Sequence, residues 1–232
     1  MGSVKGVPKR RVFWCLVLFL VLFGTASWAQ SVTKDILVIE GRNDNIENVL
    51  AALGFGARID TVPADNSLMN VDFGRYKALF INCSYGSITD RPGEDLLDKV
   101  KTFVQGGGML YVTDDSANFL KSWDAEMGYD IAYDRHSFRS GIWKTDVPDA
   151  ALRAKFPAER FDADGSIVIY RSSDNGEPIL DPGRATVLLR NSANPGPSNA
   201  EPFQVQAIDF RPYGSNGGRV VYTTFHNHNN PP

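Results

Sequence analysis

Apolar and polar positions fall in blocks along this chain, and the period changes from block to block. Ile36-Leu37-Val38-Ile39 is a continuous apolar run between Asp35 and Glu40, the pattern of a strand buried on both faces. Gly41 to Asn45 is a polar loop that ends in residues favoured at helix N-caps. Ile46, Val49, Leu50 and Leu53 then recur at helical spacing, and Gly54 supplies the stop. Residues 57–62 predict a second strand and residues 76–82 a third. Behind Arg91-Pro92-Gly93 the spacing predicts a helix with Leu96, Leu97, Val100, Phe103 and Val104 inside, and an Asp95–Lys99 pair on its outer face. Gly106-Gly107-Gly108 closes that helix. The strand Met109–Thr113 follows and runs directly into Asp114-Asp115-Ser116.

Beyond Ser116 the regularity fades. Residues 117–127 predict a short helix with Phe119, Leu120 and Trp123 facing in, residues 128–141 show no clear period, and 148–156 predict another helix. Strands are expected over 166–171, 185–190 and 203–210. The Gly214-Ser215-Asn216-Gly217-Gly218 turn joins the last of these to a final strand over 219–225. Strand–helix alternation of this kind defines an α/β fold. The expected architecture is an open, mostly parallel sheet with helices on both faces and right-handed crossovers, plus a C-terminal antiparallel hairpin.

The first thirty residues stand apart. Lys5, Lys9, Arg10 and Arg11 precede the apolar run from Val12 to Phe23, and small residues lead up to Ala29. That layout predicts a secretory signal peptide over 1–29, since the run is shorter than the roughly 20 residues of a spanning helix. Residues 30–232 are expected to form one domain, with truncation at the C-terminus left open. Membrane contact would come only from an uncleaved signal. Removing the four basic residues leaves 20 Lys and Arg against 27 Asp and Glu, a net charge of about −7. With no polybasic face, nucleic acid is not an expected partner. Only Cys83 survives cleavage, so no internal disulfide can form. Flanked by Asn82 and Ser84, it reads as a small buried residue.

Three stretches could carry chemistry. Asp114 and Asp115 stand on a strand-to-helix turn, where adjacent carboxylates could bind a cation, act as acid and base, or simply cap the following helix. Capping is the expected role. His226 and His228 share one side of an extended chain at metal-ligand spacing. Asp134-Arg135-His136-Ser137 reads as a surface loop, and Trp123, Tyr129, Tyr133, Phe138 and Trp143 as core, with a sugar-binding groove as the alternative. A Walker A loop and a dinucleotide fingerprint are both absent.

The helix closed by Gly106-Gly107-Gly108, the strand Met109–Thr113 with its tight turn, and the late strand ending Thr224-Phe225-His226 together resemble the class I glutamine amidotransferase-like fold. The trehalose-utilisation (ThuA-like) branch is the nearest subgroup. The resemblance implies a nucleophilic Cys at that turn and a His base within a late Phe-His-Pro-Glu run. Here the nucleophile position falls on Asp114 or Asp115. His226 matches the His, while Asn227 and His228 replace Pro and Glu, and Cys83 lies one strand too early to be carried over. Without a thiolate at the turn, thioester chemistry is not expected. The function that follows is an exported, non-catalytic domain of the cell envelope. It would bind a small polar ligand, a sugar for example, or a protein partner through Asn43, Asp114, Asp115, Ser116 and His226. The alternative is an exported hydrolase, carbohydrate-directed for instance, using Asp114 or Asp115 with His226 as acid and base. No cofactor is expected; a divalent metal at His226 and His228 belongs to the alternative.

Overall fold

The computed structural model describes residues 33–84, 86–133, 141–171, 178–196 and 204–226. The expected signal peptide, the Asp134-Arg135-His136-Ser137 loop, Phe138 and His228 lie outside these residues. Among the described residues, no helix is long and apolar enough to cross a membrane.

Strand β1 (Ile36–Ile39) pairs in parallel with both β2 (Ile59–Val62) and β3 (Ala78–Ile81), and β3 pairs in parallel with β4 (Met109–Thr113). The unbroken apolar run of β1 is explained by what covers it. Ile36 and Val38 pack with Ile46 and Leu50 of helix α1 (Ile46–Ala52) on one face. Leu37 and Ile39 belong to the larger core on the other face, with Leu96, Val100, Phe103 and Val104 of helix α2 (Glu94–Gln105). Each such burial contributes about 1.5–3 kcal/mol, so both faces must be apolar.

The triple glycine does what its spacing predicts. Gly107 has φ +95°, which an L side chain rarely adopts. A Cβ on Gly108 would meet the Phe103 ring at 2.3 Å. The expected Asp95–Lys99 pair is not what forms. Lys99 Nζ instead donates to the carbonyls of Leu68 and Met69 in the neighbouring 3₁₀ turn Asn66–Asn70 and lies over the Phe73 ring, contacts that commit it away from Asp95.

On the far side of β4 the sheet changes character. Strand β11 (Val220–Thr223) is parallel to β4 and antiparallel to β10 (Val205–Phe210). From β10 the ladder continues antiparallel through β9 (Thr186–Asn191), β6 (Gly141–Asp146) and β7 (Ile167–Arg171). The order is β2-β1-β3-β4-β11-β10-β9-β6-β7, with β5 (Ala132–Tyr133) pairing β8 (Ile179–Asp181), which pairs β10. The expected hairpin is therefore one step of a larger antiparallel region, and β5, β6 and β8 are strands that the pattern did not predict. The close of α2 also seats β11: Gly218 N donates to Val104 O at 2.7 Å, and a Cβ on Gly218 would lie 1.8 Å from Gly108 O. Helix α3 (Asn118–Met127) buries Phe119, Leu120 and Trp123, as its spacing predicts, and the single-turn helix α4 (Ala150–Arg153) is capped by Asp149.

Candidate functional site

Parallel register brings three chain segments out of the sheet side by side. Ile81 of β3 is level with Val112 of β4, and Thr223 of β11 with Thr113 of β4. Cys83 follows β3 by two residues, Asp114 follows β4 directly, and His226 follows β11 by three. All three emerge at the carboxyl edge, where open α/β sheets hold their ligands.

Asp114 has φ +45°. Such a backbone is uncommon outside glycine, though Asp tolerates it better than most residues. Tyr222 steadies the turn by donating its hydroxyl to Asp114 O at 3.1 Å. The Asp114 carboxylate reaches His226, with Oδ2 and Nε2 2.8 Å apart, and both side chains are buried, at 0% and 5% exposure. The capping expectation is thereby corrected. The 3₁₀ turn Asp114–Ala117 begins behind Thr113 and α3 behind Ala117, and neither start has a side-chain cap. The left-handed turn commits Asp114 to the neighbouring strand end instead of to the helix amides.

Cys83, not expected to serve as the nucleophile because it lies one strand early, is nevertheless part of this cluster. Its thiol donates toward Asp115 Oδ2 at 3.7 Å, and Asn43 Nδ2 donates to Sγ at 3.8 Å. Its backbone is clamped at both ends: Cys83 N donates to Thr113 Oγ1 at 2.9 Å, and Asn43 N donates to Cys83 O at 3.2 Å. One ligand atom from each of Cys83, Asp114 and His226 lies within 4.8 Å of the others. Adjacent parallel strands place residues of equal register side by side, so a neighbouring strand end is as close as the turn itself.

The charges in the cluster are strongly skewed. Burial, then the charges of Asp114 and Asp115, push the Cys83 thiol well above its ordinary value. Burial raises Asp115 to about 6, with Asp114 and Asp90 adding to it. Burial alone would lower His226, but the contact with Asp114 and the charges of Asp114, Asp44 and Asp115 outweigh it and hold the imidazole above its usual pKa. His226 is thus favoured as a cation, and Cys83 as a neutral thiol.

Of the five expected ligand residues, Asn43, Asp114, Asp115 and His226 meet here. Ser116 is wholly buried, and its hydroxyl finds no partner among the described residues. Besides Cys83, the pattern missed Asn82. Its Oδ1 accepts from Ile46 N at 3.4 Å and its Nδ2 donates to Glu47 at 3.0 Å, so the start of α1 is held from a strand end where Asn45 was expected to cap it. Trp123 and Trp143 are each 1% exposed, and Tyr129 and Tyr133 pack on Phe210 and Tyr222, which makes these aromatics core and not a sugar groove. Beside the cluster, a cleft of about 370 Å³ opens where the chain leaves β1, β2 and β3, with Glu40, Arg42, Asp65, Ser84 and Ser87 in its wall. The chain leaves β1 toward β2 on one side and leaves β3 toward β4 on the other, so this cleft lies at the topological switch point of the sheet.

The fold matches solved structures. A ThuA-like protein from Bacteroides uniformis superposes with a TM-score of 0.58 at 11% identity, covering 88% of this chain and 87% of that one. PurLQS from Thermotoga maritima superposes with a TM-score of 0.54 at 16% identity, covering 82% and 86%. The chain matches no protein-family model and no curated protein sequence. At these identities the likeness concerns the fold: an open, mixed α/β sheet of the amidotransferase-like, ThuA-like kind, parallel from β2 to β11 and antiparallel beyond.

Proposed function

We propose that this protein is an exported, non-catalytic amidotransferase-like domain that binds a small polar ligand at the carboxyl edge of its sheet. One observation carries the reading. The turn that would present a nucleophile instead holds Asp114, locked to His226 at 2.8 Å with both groups buried. A thioester needs a thiolate there. Cys83 stands aside from the turn, and burial among carboxylates keeps its sulfur protonated. The polar cleft at the switch point has the size of a small-molecule site. The layout of residues 1–29 supports export.

The experiment is a thermal-shift screen of the purified protein against sugars and amino acids, with glutamine hydrolysis assayed in parallel. A native-state ligand raises apparent stability as ln(1 + [L]/Kd). The expected result is at least one ligand whose shift is lost on Ser84→Trp, which fills the cleft, with no ammonia released from glutamine. Glutaminase activity abolished by His226→Gln would refute the reading.

A second reading, an exported hydrolase, has one observation in its favour. Asp114 and His226 do converge, and Asp115 beside them titrates near 6, close to the working range of a general acid or base. Against it, the pair is sealed from solvent, whereas acid–base catalysis needs an open approach. Hydrolysis of aryl glycosides or esters that Asp115→Asn abolishes would favour it.

A further inference from the structure

The ligand-binding reading leaves Cys83 without a task, and the cluster's chemistry gives it one. We infer that Cys83 Sγ, an Asp114 carboxylate oxygen and His226 Nε2 form a three-ligand site for a borderline-soft divalent cation of the zinc type. The inference rests on the proposed ligand-binding function and names a cation as one ligand of that edge.

The donor set comes first. Thiolate, imidazole and carboxylate are the three ligand types that zinc takes, and three protein ligands are enough to hold it. Hard cations such as Mg²⁺ and Ca²⁺ want oxygen donors only, so a sulfur within the cluster selects against them.

Geometry comes second. Donors at about 2.0–2.3 Å from a tetrahedral ion stand roughly 3.3–3.7 Å apart. Here the three atoms lie within 4.8 Å of one another, and the Asp114–His226 pair is at 2.8 Å. An ion would spread that pair by about half an ångström and draw the sulfur in by about 1.3 Å at most. Each donor stands at the end of a paired strand of one sheet, so the backbone beneath them is rigid.

Charge balance comes third. The filled site is electrically neutral: a divalent ion held by one carboxylate, one thiolate and one neutral imidazole sums to zero. It therefore places no net charge in a buried place, where an uncompensated charge would be costly, and any proton on the thiol or on Nε2 leaves to solvent as the ion enters. Asp115, 3.7 Å from the sulfur, is an acceptor for the thiol proton as it departs.

Cobalt(II) is the probe. The purified protein, stripped with a chelator, is titrated with Co²⁺ in weakly buffered solution while absorbance, pH and melting temperature are followed. The expected result is one Co²⁺ per chain, with tetrahedral visible bands, a near-ultraviolet thiolate-to-cobalt charge-transfer band, up to two protons released and a raised Tm. Zinc should then bleach the bands. In Cys83→Ser the charge-transfer band should vanish, and in His226→Gln stoichiometric binding should be lost. Because wild type alone reports sulfur ligation, a variant that fails to fold does not decide the matter. No stoichiometric Co²⁺ or Zn²⁺ uptake, or a charge-transfer band that persists in Cys83→Ser, overturns the inference. If a sugar or amino acid still shifts the melting temperature in excess chelator while cobalt gives no thiolate band, the cation site falls and the ligand-binding reading stands. If neither class of ligand binds, both fall.

Discussion

Asp115 offers a quantitative test of the electrostatics at the sheet edge. Its carboxyl is raised from an ordinary 3.8 to about 6 by burial first, then by Asp114 and Asp90. Below about pH 3 the folded and unfolded forms both hold the proton, and Asp115 has no effect on stability. As pH rises from about 4 to 6 the unfolded chain releases its proton while the folded chain keeps it, so stability falls across that window. Above about 6 the destabilisation is fully present. Roughly two pH units at about 1.4 kcal/mol each amount to about 3 kcal/mol. Partial exposure of the side chain screens some of this, leaving an expected 1–3 kcal/mol. Asp115→Asn removes the charge and keeps an oxygen to accept from Cys83. With chelator present, urea denaturation should show the variant more stable by about 1–3 kcal/mol near pH 7.5, an advantage that shrinks to about half a kcal/mol or less near pH 4 and vanishes below about pH 3. For a domain of this size that is a Tm rise of about 3–10 °C. A variant no more stable than wild type near pH 7.5, or one with the same advantage at both pH values, would show that Asp115 is not held in an unfavourable field.

Two further substitutions probe how the cluster is supported. Tyr222→Phe removes the hydroxyl that donates to Asp114 O at 3.1 Å; a loss of about 1 kcal/mol in denaturant unfolding is expected, and in the cobalt titration a weaker affinity with an unchanged stoichiometry. A Cβ on Gly41 would lie 2.4 Å from Cys83 O and 2.7 Å from Asn82 Cβ. Gly41→Ala should therefore cost about 1–3 kcal/mol by overpacking and lower cobalt affinity by displacing Cys83, whereas Gly54→Ala, with open space around it, should leave the cobalt spectrum untouched.

The parallel half of the fold was legible because its signals are local. A continuous apolar run, a helical period and a glycine stop each need only neighbours in sequence, and β1, α1, α2 and β4 follow from them. The antiparallel half was not. In β6, Trp143 and Thr145 are buried while Lys144 is half-buried, an alternation with a polar residue on its inner side that no hydrophobic count detects. The partners of β6, which are β7 and β9, lie some 20 to 50 residues away, so its pairing is a tertiary fact. The same limit governed the site. The elbow at Asp114 and the late His226 can be read from strand ends taken singly. Cys83 requires knowing that β3 and β4 are neighbours and in register, and that the residues just past their ends therefore stand level.

The position of β11 has a consequence for how such a chain can be made. Strands β4 and β10 are not bonded to each other; both are bonded to β11, which comes after them in the chain. Until residues 220–223 are available, each half of the sheet presents a bare edge of unpaired N–H and C=O groups beside apolar side chains such as Leu110, Val112, Ile208 and Phe210. Such edges recruit other strands, including those of a second nascent copy. A chain built this way gains when its last strand is present before either edge can pair elsewhere. The strand that carries His226 to Asp114 is also the one whose arrival closes both edges, so the site and the seam of the sheet form in one event.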